Sequence, residues 1–163
     1  MAIREKLERD ELDFGIVIIS DASASLQLLP MSRNQIMACI PEKHPLAAHQ
    51  SISINDIANA DLIMLKEGSF LRQLVLSKIK RANIAPEIVL ESNQIETVKG
   101  LIASNVGIAF LLDFIAKGAP GIKAVPFDEP LYVDLGLAWK KDRYISNAAQ
   151  SFIDFCRTTM QNG

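Results

Sequence analysis

Cysteine, histidine and aromatic residues are scarce in this sequence of 163 residues, and the scarcity argues against several classes of protein. Two cysteines, Cys39 and Cys156, are too few for a disulfide scaffold, and both lie in apolar runs where buried thiols are expected. His44 and His49 lack the further ligands that a zinc site needs, so no metal is predicted. Cys39 and His44 could in principle act as a nucleophile and its base. A reactive thiol needs an electropositive, accessible setting, which the apolar run around Cys39 does not provide, so no catalytic nucleophile is predicted.

Long apolar runs and an excess of charge of one sign are also missing. No stretch reaches the roughly 18 apolar residues of a membrane span, and the charged first twelve residues contain no signal-peptide core. We therefore expect a cytoplasmic protein without a membrane partner. Seventeen Lys and Arg against 19 Asp and Glu give a net charge of −2, which argues against non-specific binding to nucleic acid.

What is present is a regular alternation of strands and helices in the middle of the chain. The strands are expected at residues 62–65, 87–90 and 107–112. The helix after the first strand begins at Gly68 and Ser69 and runs to about Ala82, with apolar residues on one face. Asn93 and Glu96 have the spacing of a capping box at the start of the second helix. This β-α-β-α-β order predicts parallel strands with right-handed crossovers.

The flanking segments predict further elements around this block. Residues 2–10 favour the end of a helix, 14–19 a strand buried on both faces, 34–41 a second strand and 131–139 a strand of period two. Ser146 is expected to cap a last helix that buries Ala149, Phe152, Ile153, Cys156 and Met160.

The order of elements divides the α/β chain into two lobes. Residues 1–59 and 125–163 are assigned to lobe I, and residues 60–124 to lobe II. Two crossings between the lobes predict a hinged clamshell, with ligands bound between the lobes beyond the carboxyl ends of the strands.

Short segments spread over nearly the whole chain carry a family resemblance. They are Leu12-Asp-Phe-Gly-Ile-Val17, His44-Pro-Leu-Ala47, Asp56-Ile-Ala58, Gly68-Ser-Phe-Leu-Arg72, Glu91-Ser92, Val98 through Ala109, Leu137-Ala-Trp-Lys-Lys-Asp142 and Ala148 through Phe155. In this order they resemble the effector-binding domain of LysR-type transcriptional regulators. The resemblance implies a type II periplasmic-binding-protein-like fold and a small-molecule effector. It also implies a homo-oligomer that contacts DNA only through a winged helix-turn-helix missing from this chain, and a first lobe that is truncated at the N-terminus and incomplete.

Five small residues are the candidate ligand-binding residues. Gly68, Ser69, Ser92 and Asn93 stand at predicted helix N-termini, where unpaired N–H groups and a partial positive charge suit a carboxylate or another anion. Ser20 ends the first strand and is expected to face them across the cleft. Serine and asparagine also cap helices without any ligand, and Ser20 beside Asp21 also fits a solvated turn. The resemblance favours the ligand-binding interpretation, because matching positions line the family's effector pocket.

Three functions are compatible with this fold. The first is an effector-sensing domain of a LysR-type regulator, and the alternative is a free-standing solute-binding protein of the same architecture. The third, a small α/β enzyme, lacks a constellation of acid, base and nucleophile, so neither catalysis nor a cofactor is expected. The basic residues of the middle helix are expected to form a solvated face. They are Lys66, Arg72, Lys78, Lys80 and Arg81.

Overall fold

The computed structural model of the chain describes residues 3–161, with side chains to residue 159. The helices are α1 (Ile3–Glu8), α2 (Phe70–Arg81), α3 (Ile95–Ala103), α4 (Asp113–Ala116) and α5 (Asn147–Gln161). The strands are β1 (Gly15–Ile18), β2 (Leu26–Pro41), β3 (Asp61–Met64), β4 (Glu87–Glu91), β5 (Ala109–Leu112) and β6 (Ile122–Lys140). Short 3₁₀ helices occupy Ile19–Asp21, Pro45–Ala48 and Ile54–Ile57.

Two compact units make up the chain. Unit 1 contains the described residues up to Arg33 and from Val133 onward, and unit 2 is Asn34–Tyr132. Both boundaries fall inside long strands, β2 and β6, so the chain changes unit without a loop. The predicted lobes, 1–59 with 125–163 and 60–124, are a different division of the chain and stay a prediction.

Unit 1 holds β1 against β6. The two strands pair antiparallel from Gly15 opposite Ala138 to Ile18 opposite Leu135. The strand predicted at residues 14–19 is therefore confirmed, but its burial on both faces is wrong, because Ile16 is 43% exposed. The reason is that β1 is the last strand in the order β1-β6-β2-β5 of the described residues, so it is covered less well than a central strand.

The last helix of unit 1 begins as predicted. The Ser146 hydroxyl accepts a hydrogen bond from the Ala149 N–H at 3.2 Å, which confirms the cap. The buried side of α5 shares a cluster with β6, made of Leu137, Trp139, Ile153 and Cys156. Phe152, predicted to be buried, is partly exposed and stacks on Phe14 with ring centroids 4.6 Å apart. Met160, predicted on the same face, lies outside the described side chains.

Unit 2 contains the predicted parallel block. β3 and β4 pair in parallel. Two backbone bonds tie β3 to the start of β5: Ile63 N–H donates to Ile108 O at 2.8 Å, and Ile108 N–H donates to Asp61 O at 2.9 Å. The β-α-β-α-β prediction is thereby confirmed. The antiparallel pairing of β5 with β2, from Ile36 opposite Leu112, was not predicted.

The helices of unit 2 bury the apolar faces that their periodicity predicts. Leu71, Val75 and Ile79 of α2 and Val98 and Ile102 of α3 are buried. The start of α3 differs from the prediction, because its N-terminal cap residue is Gln94, whose side chain makes no capping hydrogen bond to the helix. The capping box of Asn93 and Glu96 is therefore wrong, and the Asn93 side chain serves a different bond, described below.

Candidate functional site

The carboxyl ends of β3 and β4 are joined by two hydrogen bonds. The Ser92 N–H donates to the Met64 carbonyl at 3.0 Å. The Lys66 N–H donates to Asn93 Oδ1 at 2.9 Å, which is the bond that removes Asn93 from the predicted capping box. The loop after β3 therefore lies directly beside the loop after β4. Four candidate residues stand on these two neighbouring loops, Gly68, Ser69, Ser92 and Asn93, and we call them the polar cluster.

Gly68 and Ser69 form the entry to α2. Gly68 has a φ of +85°, a left-handed conformation that favours glycine, and no heavy atom lies within 4 Å of the Cβ position of an added side chain. The Ser69 hydroxyl accepts a bond from the Arg72 N–H at 3.4 Å, so Ser69 caps α2. The capping interpretation is thus satisfied, while the hydroxyl hydrogen remains a donor for a ligand.

Ser92 and Asn93 form the corresponding entry to α3. The Ser92 hydroxyl accepts from the Gln94 N–H at 3.1 Å and, like Ser69, keeps its own hydrogen. Asn93 is exposed, and its bond to Lys66 uses only the amide oxygen. The amide NH₂ group is a donor that this bond leaves unused. The cluster is therefore rich in donors and contains no carboxylate of its own.

Ser20 belongs to unit 1, separately from the other four candidates. It lies exposed in the 3₁₀ helix Ile19–Asp21 that follows β1. This position fits the turn interpretation, and a role for Ser20 opposite the polar cluster stays a prediction.

Arg72 is the functional candidate that the sequence interpretation missed. It was expected on a solvated face, yet its side chain is only 12% exposed. Its Nη1 donates to the Leu65 carbonyl at 2.7 Å and lies 2.6 Å from Glu91 Oε1. The signal was available, because a cation in the first turn of a helix opposes the helix dipole, and α2 has no acidic residue in that turn. Such a cation needs a counter-ion from elsewhere in the fold.

The two side chains weighed as a nucleophile and its base are occupied otherwise. Cys39 is fully buried, and burial raises the pKa of its thiol to about 12. His44 Nδ1 accepts a hydrogen bond from the Leu46 N–H at 3.2 Å and caps the 3₁₀ helix Pro45–Ala48. Within residues 3–161, no three His, Cys, Asp or Glu side chains are grouped so as to hold a metal ion.

Membrane insertion finds no support in the helices that the structure describes. Among them, none combines the length and the apolar character that crossing a membrane requires.

Polar residues at the carboxyl ends of neighbouring parallel strands are typical of α/β domains that bind small ligands. A family model described as "LysR substrate binding domain" matches residues 1–161, and the chain belongs to this family. A curated relative, the HTH-type transcriptional regulator YybE of Bacillus subtilis (strain 168), is 30% identical over 149 residues. That match covers 91% of this chain and 51% of the relative.

Solved structures confirm the fold class. The regulatory domain of Synechocystis PCC6803 CcmR, solved in complex with 2-PG, has a TM-score of 0.88 and 26% identity, with 98% of this chain and 79% of that chain covered. The effector binding domain of QuiR, solved with shikimate, has a TM-score of 0.86 and 25% identity, with 99% and 79% covered. The predicted α/β fold of the type II periplasmic-binding-protein-like kind is thereby confirmed.

The matched relatives are longer than this chain. The chain spans about half the length of the curated relatives that it matches, 51% of YybE and 53% of YwbI, both of Bacillus subtilis (strain 168). The regulation of transcription that their names state is said of those whole proteins.

Proposed function

We propose that this chain is the effector-sensing domain of a LysR-type bacterial transcriptional regulator. In this proposal a small metabolite binds at the polar cluster and modulates transcription, and DNA is contacted by a domain outside this chain. The observation that carries the proposal is the family match over residues 1–161, combined with a donor-rich cluster at the carboxyl ends of β3 and β4.

The chemistry of the polar cluster supports an anionic effector. Two serine hydroxyls and one amide NH₂ offer donors, and the N-termini of α2 and α3 add partial positive charge. Ser20, in unit 1, is the fifth candidate ligand-binding residue of this proposal. The effectors in the two solved regulatory domains, 2-PG and shikimate, are the first probes to test.

The alternatives receive less support. A free-standing solute-binding protein is not favoured, because the curated relatives described are named as transcriptional regulators. An enzymatic role has no support in the family assignment, which is to a regulator's substrate-binding domain. We place the protein in the cytoplasm, where a regulator of transcription acts.

Titration calorimetry with 2-PG, shikimate and a panel of other small organic acids tests the proposal. We expect a saturable heat with at least one acid. Asn93→Asp keeps the acceptor that Lys66 uses but adds a negative charge, so it should weaken binding at least roughly tenfold, or about 1.4 kcal/mol. Asn55→Asp, an exposed change in the 3₁₀ helix Ile54–Ile57, is the matched control and should bind as the wild type does.

Two results would contradict the proposal. The absence of saturable binding across the acid panel would remove the effector. Equal affinities of Asn93→Asp and the wild type would place binding away from the polar cluster.

A further inference from the structure

We propose that Arg72 is the residue that recognises the acidic group of the effector, and that Glu91 is its resting counter-ion. An acidic effector then binds by taking the place of Glu91 on the guanidinium. This inference rests on the proposed function and assigns the polar cluster its positive charge.

The positive charge of Arg72 lies at the ends of the two strands that carry the polar cluster. Arg72 lies in the first turn of α2, where the helix dipole disfavours a cation. The side chain returns to the ends of both strands, bonding the Leu65 carbonyl after β3 and the Glu91 carboxylate at the end of β4. Its guanidinium therefore lies between the two loops that carry Ser69 and Ser92.

Part of the Arg72 guanidinium makes no bond to Leu65 or Glu91. Both bonds described for the Arg72 side chain use Nη1. The Nε–H and Nη2 donors are not committed to Leu65 or Glu91. A guanidinium recognises carboxylate or phosphate oxygens with parallel donors, so these remaining donors have the geometry for an anionic ligand.

Arg72 and Glu91 are buried to different degrees. Arg72 is 12% exposed and held by the Leu65 carbonyl, whereas Glu91 is 40% exposed and half in solvent. Leaving the buried guanidinium without a counter-ion would be costly, so Glu91 can leave it only when another anion takes its place. The cation is therefore fixed in place while the anion can be exchanged, which is what competition with an effector requires.

The groups around Arg72 are mostly neutral hydrogen-bond donors. Ser69, Ser92 and Asn93 supply neutral donors, and Glu91 is the carboxylate that contacts Arg72. With Glu91 in place the guanidinium is neutralised, and a neutral ligand gains no charge interaction. Replacement of Glu91 by a ligand carboxylate or phosphate preserves that neutrality and adds ligand contacts.

Titration with inorganic phosphate, followed by heteronuclear NMR at the Arg72 side chain, tests the competition. We expect a saturable shift of the Arg72 Nε–H signal in the wild type. Glu91→Gln removes the competitor, so phosphate should bind several-fold more tightly. Arg72→Gln and Arg72→Lys lack the Nε–H signal, so their phosphate affinities are measured by calorimetry. Arg72→Gln should weaken binding roughly tenfold or more, and Arg72→Lys, which keeps the charge without the planar donors, should lie between.

A matched ion pair of the same unit provides the control. Lys78 and Glu129 are 3.2 Å apart, and Glu129→Gln changes the net charge of the chain as Glu91→Gln does. Glu129→Gln should leave phosphate affinity unchanged. An equal gain in both glutamine variants would reduce the effect to overall charge and overturn the inference.

A merely structural role for Arg72 gives different results. If the pair only braces α2 against β4, Glu91→Gln lowers stability without tightening phosphate binding, and the inference fails. No saturable shift in the wild type or in Glu91→Gln also overturns it. An organic acid that binds with Asn93 dependence but ignores Arg72 and Glu91 would leave the proposed function standing. Phosphate binding that tightens in Glu91→Gln, without binding of any organic acid, would support the exchange at Arg72 and contradict the proposed function.

Discussion

Ser69 combines two roles that have to be separated by experiment. Its hydroxyl caps α2, as serine does at many helices without a ligand, and it lies in the polar cluster. Ser146 has the same chemistry at the start of α5, where its hydroxyl accepts from Ala149, and it is not part of the polar cluster. The two serines therefore form a matched pair in which the structural contribution is common and the binding contribution is not.

We predict that Ser69→Ala and Ser146→Ala each lower the free energy of unfolding by about 1 kcal/mol, the usual cost of losing a cap. Only Ser69→Ala should weaken effector binding in calorimetry. Urea denaturation of both variants checks the first part. Equal affinities of the two variants would show that Ser69 is a cap and nothing more.

Cys39 provides a pH-dependent prediction. Burial raises the pKa of its thiol from 9.0 to about 12, so between these values the folded chain holds a proton that the unfolded chain has lost. Its contribution to stability is complete below pH 9.0 and is lost as the pH rises towards about 12.

Cys39→Ala should therefore flatten the alkaline fall in the free energy of unfolding, although it is less stable than the wild type at neutral pH because it leaves a cavity. Urea denaturation at a series of alkaline pH values measures this. Parallel pH curves for the two proteins would contradict the assigned pKa shift.

At the scale of the elements, the close approach of β3 and β5 depends on a glycine. A Cβ added at Gly107 would lie 2.6 Å from the Asp61 backbone oxygen, on the strand that β5 must approach. Gly100, inside α3, has nothing within 4 Å of its added Cβ. The same substitution should therefore have opposite effects at the two positions.

We predict that Gly107→Ala destabilises the chain by about 1–3 kcal/mol through overpacking. Gly100→Ala should stabilise it by about 0.5–1 kcal/mol, because alanine favours the helix. Chemical denaturation of both variants is the measurement. A Gly107→Ala variant as stable as the wild type would show that β3 and β5 do not approach as closely as described.

The sequence predicts the elements of unit 2 better than their long-range contacts. The period of apolar residues identifies α2 and α3, and short apolar runs identify β3, β4 and β5, because these signals are local. The pairing of β5 with β2 joins Ile36 to Leu112, far apart in sequence, and no local pattern encodes it. The Asn93 capping box fails for the same reason, since Lys66 from another loop takes its oxygen.

The candidate site follows the same division. Gly68, Ser69, Ser92 and Asn93 were identifiable because they start helices after parallel strands, and the structure places them on two neighbouring loops. The contact of Arg72 with Glu91 joins two elements and could be suspected only from a cation that opposes the dipole of its own helix. A basic residue in the first turn of a helix is thus a usable sequence signal for an acidic partner elsewhere in the fold.

At the scale of the whole molecule, β1 presents an edge. Ile16 is exposed on this last strand of its sheet among the described residues, and unpaired edges associate with other chains. We predict that the chain self-associates with rising concentration and that Ile16→Lys shifts it towards monomer. Val106→Lys, at an exposed valine outside the strands, is the control. Analytical ultracentrifugation measures both, and a wild type that is monomeric at every concentration would contradict the prediction.

The central claim is that an acidic effector binds at the polar cluster, and mapping of backbone amide shifts in the presence of the tightest-binding acid tests it most directly. We predict that the largest saturable shifts occur at Gly68, Ser69, Ser92 and Asn93. A groove elsewhere in unit 2, about 300 Å³ in volume and lined by Ser53, Lys78 and Phe127 among others, offers the clear contrast. Shifts confined to that groove, with the polar cluster unaffected, would contradict the account.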